Sequence, residues 1–285
     1  MPRERKRPPD CPEESRLSSI PPEKTGHDPA QWDDSARART TTVPRPLPPT
    51  HQVWALRAAL FVLTAVFLVG NVLHLQVNDP HEPTHPVFSH PGWNGDYDGS
   101  HVEIFGHIEL TLAAAVLFAL AFSRRVLVYG AWALTVAALT VDDLMQVHER
   151  GGAVLVTALD LPAVAGLRPQ DLGELAVWGI LALVLGMFLL VGYLRAPGYA
   201  RRDSWILVAC LLVLVVFGVI IDQLLIIVAP RITPLAYHSL VLTETAGEIV
   251  AMTLILLAAH QMAVRPRQAT VVADRGPEGD SAGEG

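Results

Sequence analysis

Residues 140–150, TVDDLMQVHER, place ionisable side chains directly after a long apolar run. Asp142 and Asp143 are adjacent, and His148 and Glu149 follow them closely. Ionised side chains are costly inside a membrane, so residues of this kind usually mark a site or a pathway. Carboxylates combined with an imidazole are also ligands that divalent metals accept.

Carboxylates and histidines lie within several other apolar segments of the chain. At a rise of ~1.5 Å per residue, carboxylates of different predicted helices fall in roughly one layer of the membrane. The opposite helix ends carry arginines instead, so this layer is not a general property of helix ends. The candidate metal ligands are Glu103, His107, Asp142, Asp143, Asp222, Glu244 and Glu248. The candidate catalytic residues are Asp142, Asp143, His148 and Glu149.

Helical periodicity predicts which of these side chains share a face, because residues four apart lie one above the other. Glu103 and His107 have this spacing, and so do Glu244 and Glu248. Each pair is therefore predicted to offer two ligand groups on one face of its helix.

The segment that contains the two aspartates is predicted to continue as one helix. On such a helix Asp142, Gln146 and Glu149 form one stripe, and Asp143 lies beside it. His148 then points about 120° away from Asp142, toward a loop or a neighbouring helix. This interpretation makes His148 the least favourably placed of the candidate bases.

The apolar segments that must position these groups have the length of membrane-spanning helices. A span needs about 20 mostly apolar residues, and its backbone must satisfy its own hydrogen bonds in hydrocarbon. Apolar residues make up 51% of the chain and charged residues 17%, which is typical of a membrane protein. The predicted spans are 53–75, 102–122, 126–147, 172–194, 204–228 and 237–262. The predicted fold is an all-α integral membrane bundle of six transmembrane helices.

The distribution of arginine predicts how this bundle faces, because Lys and Arg in short loops stay on the cytoplasmic side. Arginines concentrate before the first span, in the second and fourth connections, and after the last span. Both termini are therefore predicted to be cytoplasmic, in a multi-pass protein of the cell membrane. The layer of carboxylates then lies in the outer half of the bilayer.

The two ends of the chain are predicted to lie outside the bundle. Residues 1–50 are rich in Pro and Arg, and residues 265–285 are polar and acidic. Neither segment can bury enough apolar surface to offset its ordering entropy, so both are predicted to be disordered cytoplasmic tails. Residues 51–264 form the predicted transmembrane domain. The two cysteines, Cys11 and Cys210, fall in a tail and in a span, which argues against a cysteine-based metal site.

The chemistry of the candidate ligands is that of a divalent metal site. Mixed carboxylate and imidazole ligands suit Zn, Mn or Fe, whereas an all-oxygen set suits Mg or Mn. A bound metal lowers the pKa of water for hydrolysis, or activates oxygen if it is iron. A cavity at this depth meets acyl or isoprenoid chains near their head groups. The leading hypothesis is therefore a metal-dependent membrane enzyme that acts on a lipid or isoprenoid-like substrate.

The sequence DDLMQ, residues 142–146, supports a second hypothesis. It resembles the aspartate-rich motif that holds Mg²⁺ against a diphosphate in isoprenoid transferases and cyclases, with Gln146 in place of the last acid. The resemblance covers five residues, and the Asn-Asp-x-x-Asp motif of membrane prenyltransferases does not accompany it. It implies a Mg-dependent prenyl-diphosphate transferase or cyclase that uses Asp142 and Asp143.

Two further interpretations stay open. Buried carboxylates and histidines also serve proton and cation pathways, so a proton- or metal-ion transporter is the third hypothesis. Apart from His260, however, the opposite halves of the predicted helices are largely apolar, which favours a cavity closed at one end. Structural roles are the alternative: Asp171 and Glu174, for example, have the pattern of a capping box at a helix start. The net charge of −7 gives no indication of a nucleic-acid partner, and the sequence does not indicate an oligomeric state.

Overall fold

The computed structural model describes residues 50–77, 87–95, 97–164 and 166–265. Within these ranges the backbone is almost wholly helical and forms no β-strand, which confirms the predicted all-α class. The two predicted tails lie outside the described residues, apart from Thr50 and Arg265.

The described residues contain eight α-helices. In chain order they are α1 Thr50–Val77, α2 His101–Arg124, α3 Leu127–Leu144, α4 Val147–Leu159, α5 Pro169–Leu194, α6 Gly198–Val215, α7 Asp222–Val228 and α8 Pro234–Val264. A π-helical turn, Val216–Ile221, joins α6 to α7, and a 3₁₀ turn, Ala229–Arg231, follows α7.

Six helical segments of the described residues are long and apolar enough to cross a membrane. They are Trp54–Leu75, His101–Arg124, Leu127–Leu144, Pro169–Leu194, Gly198–Arg231 and Pro234–Val264. The predicted number of spans is therefore confirmed on length and composition. The fifth span is one continuous helical path that runs through α6, the π turn and α7.

The third span is shorter than the sequence pattern predicts. Helix α3 ends at Leu144, and α4 begins at Val147 as a separate helix of 13 residues. Between them Gln146 has a left-handed conformation, with φ of 49°, which ends a right-handed helix and redirects the chain. The interpretation of residues 126–147 as one continuous helix is therefore wrong, and α4 is too short to cross a membrane.

Helices α2, α3 and α8 carry most of the buried side chains of the bundle. At the beginning of α3, the hydroxyl of buried Tyr129 donates to Asp203 Oδ2 at 2.7 Å, and Arg265 Nη1 donates to Asp203 Oδ1 at 2.5 Å. These bonds tie α3 and α6 to the end of α8. They lie at the end of the bundle opposite to Asp143. The carboxylate of Asp203 therefore has a structural role, away from the candidate ligands.

Glycines allow α4 to lie directly against the beginning of α5. A Cβ atom added to Gly173 would lie 2.5 Å from the carbonyl oxygen of Gly152, closer than real Cβ atoms approach. Gln170 Nε2 also donates to the backbone oxygen of Glu149 on α4 at 2.8 Å. Helix α4 is thus fixed by backbone contact with a membrane-spanning helix.

The capping box at the beginning of α5 is formed by Arg168 and Asp171, so the prediction that Asp171 and Glu174 form it is wrong. Asp171 Oδ2 accepts the backbone N–H of Arg168 at 2.7 Å, and the Arg168 side chain bonds to the same carboxylate. Asp171 is the third helical residue of this capping box instead of its first. Glu174 takes no part in it and accepts from Gln170 Nε2 at 2.7 Å.

Candidate metal centre

The first turn of α2 fixes the position of Glu103. Ser100 caps the helix by accepting the backbone N–H of Glu103 at 3.2 Å, and Glu103 Oε2 accepts the N–H of Gly99 at 2.6 Å. This reciprocal arrangement satisfies N–H groups that a helix end leaves unpaired. One turn further along, His107 lies on the same face, with Nδ1 4.0 Å from Glu103 Oε1. The predicted shared face of Glu103 and His107 is confirmed.

A carboxylate from α3 completes this cluster. His107 Nε2 lies 2.7 Å from Asp143 Oδ2, at the end of α3. Glu103, His107 and Asp143 each offer one ligand atom, and these atoms lie within 4.8 Å of one another. His107 is 5% exposed and Asp143 44% exposed, so the group is buried on one side and open on the other. We call these three residues the Glu103 cluster.

One ring nitrogen of the cluster lacks a conventional partner. Within the described part of the chain, Nδ1 of His107 is buried and makes no hydrogen bond. Buried polar atoms are normally paired, so an unpaired one calls for an explanation such as an ion. With Nε2 held by Asp143, Nδ1 and Glu103 Oε1 are the two atoms that the geometry leaves for a shared ligand.

A second histidine pairs with the neighbouring aspartate. His148 Nδ1 lies 2.9 Å from Asp142 Oδ2, and Asp142 is 4% exposed. The prediction that His148 points away from Asp142 is wrong, because the left-handed Gln146 turns the first turn of α4 back toward α3. The prediction that Asp142, Gln146 and Glu149 form one stripe on a helix is wrong for the same reason. Gln146 Nε2 instead donates to Asp98 Oδ2 at 2.8 Å.

The two adjacent aspartates therefore hold histidines from two different helices. Successive helical residues point about 100° apart, so Asp143 reaches α2 while Asp142 reaches α4. The ring of His148 also lies against Trp178 of α5, with ring centroids 5.3 Å apart. Asp142 Oδ1 is buried and has no hydrogen-bond partner among the described residues. We call Asp142 and His148 the His148 pair.

Glu149 lies beside the His148 pair on α4, outside the membrane-spanning helices. Burial raises the pKa of its carboxyl above the ordinary value, and the nearby His148 opposes this effect. Glu149 does not belong to the group that can hold a metal. Its backbone oxygen accepts a hydrogen bond from Gln170, which connects Glu149 to α5.

The remaining candidate ligands lie between the π turn and α8, outside the Glu103 cluster. Glu248 approaches the backbone of the π turn so closely that a Cβ atom on Gly218 would lie 2.5 Å from Glu248 Oε1. Glu244 and Glu248 lie four residues apart on the continuous helix α8, so they share one face of it. Asp222 Oδ2 accepts from Gln223 Nε2 at 3.0 Å.

Glu109 is a buried acid that does not appear among the candidate ligands. It is 1% exposed and contacts Thr253 on α8. The signal in the sequence is an isolated glutamate inside an apolar stretch, whose threonine partner is far away along the chain.

No curated protein and no solved structure matches this chain. One family model, described as a domain of unknown function (DUF8692), matches residues 54–262, which run from the first spanning helix to the last. The match covers well over half of the chain and includes the Glu103 cluster and the His148 pair. The chain belongs to this family, the domain of unknown function DUF8692.

Proposed function

We propose that the protein is a membrane-embedded, metal-dependent hydrolase that acts on a lipid or isoprenoid-like substrate. The observation that carries this proposal is the Glu103 cluster, in which a buried imidazole and two carboxylates offer ligand atoms within 4.8 Å of one another. A mixed nitrogen and oxygen set favours Zn, Mn or Fe over Mg. Few protein ligands leave positions on the metal for water and substrate.

The proposed ligand arrangement follows from the two nitrogens of His107. A carboxylate that holds one nitrogen of a metal-binding imidazole orients the ring and makes the other nitrogen a better ligand. Asp143 would hold Nε2 in this way, while Nδ1 and Glu103 Oε1 bind the metal. A metal held by these two residues would lower the pKa of a bound water molecule toward neutral pH.

The His148 pair is the proposed general base. A buried carboxylate that accepts the Nδ1 proton of a neutral histidine leaves Nε2 as a proton acceptor. Asp142 would hold His148 in this state and orient its ring, and the contact with Trp178 limits its rotation. His148 would then take a proton from the attacking water and return it to the leaving group.

Replacing His148 with alanine tests this assignment. Loss of a general base should lower kcat for metal-dependent hydrolysis by about 10²–10⁴-fold, and Asp142→Asn should lower it in the same direction. The probes are p-nitrophenyl butyrate and bis(p-nitrophenyl) phosphate in lipid–detergent micelles, after chelation and addition of Zn²⁺, Mn²⁺, Fe²⁺ or Mg²⁺.

The matched control is His238→Ala, which removes an exposed histidine at the beginning of α8 and should not change kcat. Metal content should stay the same in all three variants. Hydrolysis that no metal stimulates in the native protein would sink the proposed function, and a His148→Ala variant with native kcat would sink the role of the base.

The position of the Glu103 cluster supports a lipid-like substrate. Glu103, His107 and Asp143 all lie on helices long and apolar enough to span a membrane, near the helix ends where head groups are found. A soluble substrate would have to approach the same site between membrane-spanning helices. The bond to be hydrolysed is therefore one near a lipid head group.

The orientation of the bundle is part of this proposal. The helix ends opposite to the Glu103 cluster carry Arg124, Arg125, Arg201 and Arg202. Both termini are therefore expected in the cytoplasm, and the cluster is expected on the outer side. Green fluorescent protein fused to Gly285 should fluoresce, whereas alkaline phosphatase at the same position should be inactive. The reverse result would place the cluster on the cytoplasmic side.

Prenyl-diphosphate chemistry has less support from the geometry. Asp142 and Asp143 each contact a histidine, and Gln146 bonds to Asp98 after the helix has ended. Asp142 and Gln146 are four residues apart, but the break in the helix removes the common face that this spacing would give them.

A further inference from the structure

A groove lies between α3, α5 and α6, toward the helix ends opposite to the Glu103 cluster. Its volume is about 320 Å³, near the lower limit of small-molecule sites, which hold roughly 300–1,000 Å³. The residues that line it include Trp132, Gly186, Leu190, Tyr193, Trp205 and Val208. A Cβ atom added to Gly186 meets nothing within 4 Å, and Trp205 is 63% exposed, so the groove opens to the outside of the bundle. Around membrane-spanning helices, that outside is lipid.

One hydrogen-bond donor of this groove lacks an acceptor. Trp132 is 3% exposed, and its indole Nε1 is buried without a hydrogen-bond partner in the described part of the chain. Indole can only donate, and the N–H of a buried tryptophan usually finds an acceptor. Trp132 lies roughly 8 Å along the axis of α3 from its first residue, Leu127. An occupant with an acceptor at this depth, such as an ester carbonyl, would give the indole its partner.

Arginines gather at the end of the groove where α5 is followed by α6. Arg195, Arg201 and Arg202 are all exposed, and the ion pairs of the described residues include none of them. The next residue along the chain, Asp203, is buried and already paired with Arg265. This end of the groove therefore carries positive charge that no neighbouring acid neutralises.

Two contacts hold Arg201 at the rim of the groove. Its Nη2 donates to the backbone oxygen of Leu194 at 2.9 Å, and its guanidinium carbon lies 5.5 Å from the ring centroid of Tyr193. Trp205 Nε1 donates to the hydroxyl of the same tyrosine at 3.2 Å. The bond to Leu194 takes one of the five guanidinium N–H donors, so others remain for a phosphate, which arginine binds well. A cation and two aromatic rings of the kind found at membrane interfaces thus lie together at one end of an apolar groove.

We propose that this groove binds one anionic phospholipid. Arg201 and the neighbouring arginines hold its phosphate, its ester groups lie at the depth of Trp132, and an acyl chain lies along α5 and α6. The head group is anionic because a zwitterionic one would bring its own cation to a cluster of arginines. This end of the bundle is predicted to face the cytoplasm, where the membrane carries anionic lipids. The site lies away from the Glu103 cluster and does not rest on the proposed hydrolysis.

Native mass spectrometry of the detergent-solubilised protein, titrated with phosphatidylglycerol or phosphatidylcholine, tests the head group. The native protein should bind one phosphatidylglycerol in preference to phosphatidylcholine. Arg201→Gln should weaken phosphatidylglycerol binding by roughly fivefold or more, since one arginine has about this effect at an anionic membrane surface. It should leave phosphatidylcholine binding unchanged. Equal affinity of the native protein for the two lipids would overturn the proposal.

Filling the groove tests the position of the acyl chain. Gly186→Phe puts a ring into the open space and should abolish the preferential binding of phosphatidylglycerol. Gly179→Phe is the matched control and should bind as the native protein does. Gly179 lies on the same helix but does not line the groove, and a Cβ atom there also meets nothing within 4 Å. Native phosphatidylglycerol affinity in Gly186→Phe would overturn the proposal.

Two further variants separate the head group from the ester groups. Arg231→Gln removes an exposed arginine at the other end of the fifth span, where it likewise donates to a helix carbonyl, and should leave the binding of both lipids unchanged. Trp132→Phe removes the indole donor and should weaken the binding of both lipids alike, because both carry ester carbonyls. A native dimer that Gly186→Phe dissociates, with lipid binding unchanged, would assign the groove to a second copy of the chain and overturn the proposal.

Discussion

Replacing His107 with alanine should abolish stoichiometric metal binding by the purified protein. The imidazole is the only nitrogen ligand of the Glu103 cluster and is buried, so no other side chain of the cluster can take its place. Groups that only orient a metal ligand already change affinity by about 10–100-fold. Loss of the ligand itself should therefore weaken Zn²⁺ or Mn²⁺ binding by more than about 100-fold.

Elemental analysis and titration with Zn²⁺ or Mn²⁺ measure this effect in detergent. His238→Ala is the control, because His238 is exposed and does not belong to the cluster. Two carboxylate variants distinguish the ligand arrangements: Glu103→Gln should resemble His107→Ala, while Asp143→Asn should retain weaker binding. Native stoichiometry in His107→Ala would remove the Glu103 cluster as a metal centre.

Replacing Gly173 with leucine should strongly destabilise the protein and disturb the His148 pair. Even a Cβ atom at this position would lie 2.5 Å from Gly152 O, which is backbone and cannot rotate away. Overpacking a well-packed interface typically costs 1–3 kcal/mol, and here a whole side chain must displace α4, so more than about 3 kcal/mol is expected. Because α4 carries His148, the bond to Asp142 should be lost as well.

Gly179 on the same helix provides a matched control, since a Cβ atom there meets nothing within 4 Å. Gly179→Leu should change the free energy of unfolding by less than about 1 kcal/mol, because Leu is also the better helix former. Denaturant titration followed by circular dichroism measures both variants. Equal losses in Gly173→Leu and Gly179→Leu would contradict the close contact between α4 and α5.

The parts of the fold that follow from helical periodicity were accessible from the sequence. Length and apolarity predict the spans, and the spacing of Glu103 and His107 predicts their common face. The structure also brings His107 beside Asp143, whereas their role as metal ligands stays a prediction. These inferences succeed because each depends on one regular helix or on its depth.

The end of α3 at Leu144 could not be predicted from helical periodicity. Left-handed residues are usually glycine or asparagine, whereas Gln146 gives no such signal. The position of His148 depends on this one residue, so the pairing of His148 with Asp142 could not be derived from periodicity. The glycine contact between α4 and α5 was equally hidden, because Gly152 and Gly173 lie in segments that show no shared pattern.

The direction in which Asp222 points depends on the number of residues in the π turn Val216–Ile221. A π turn holds about one residue more than an α turn, so the helix that follows is rotated by roughly one residue, or about 100°. Relatives that lack this extra residue would show a single-residue gap near this position when aligned. In such a relative the equivalent aspartate would point about 100° away from the direction that Asp222 has here, although the surrounding amino acids were unchanged.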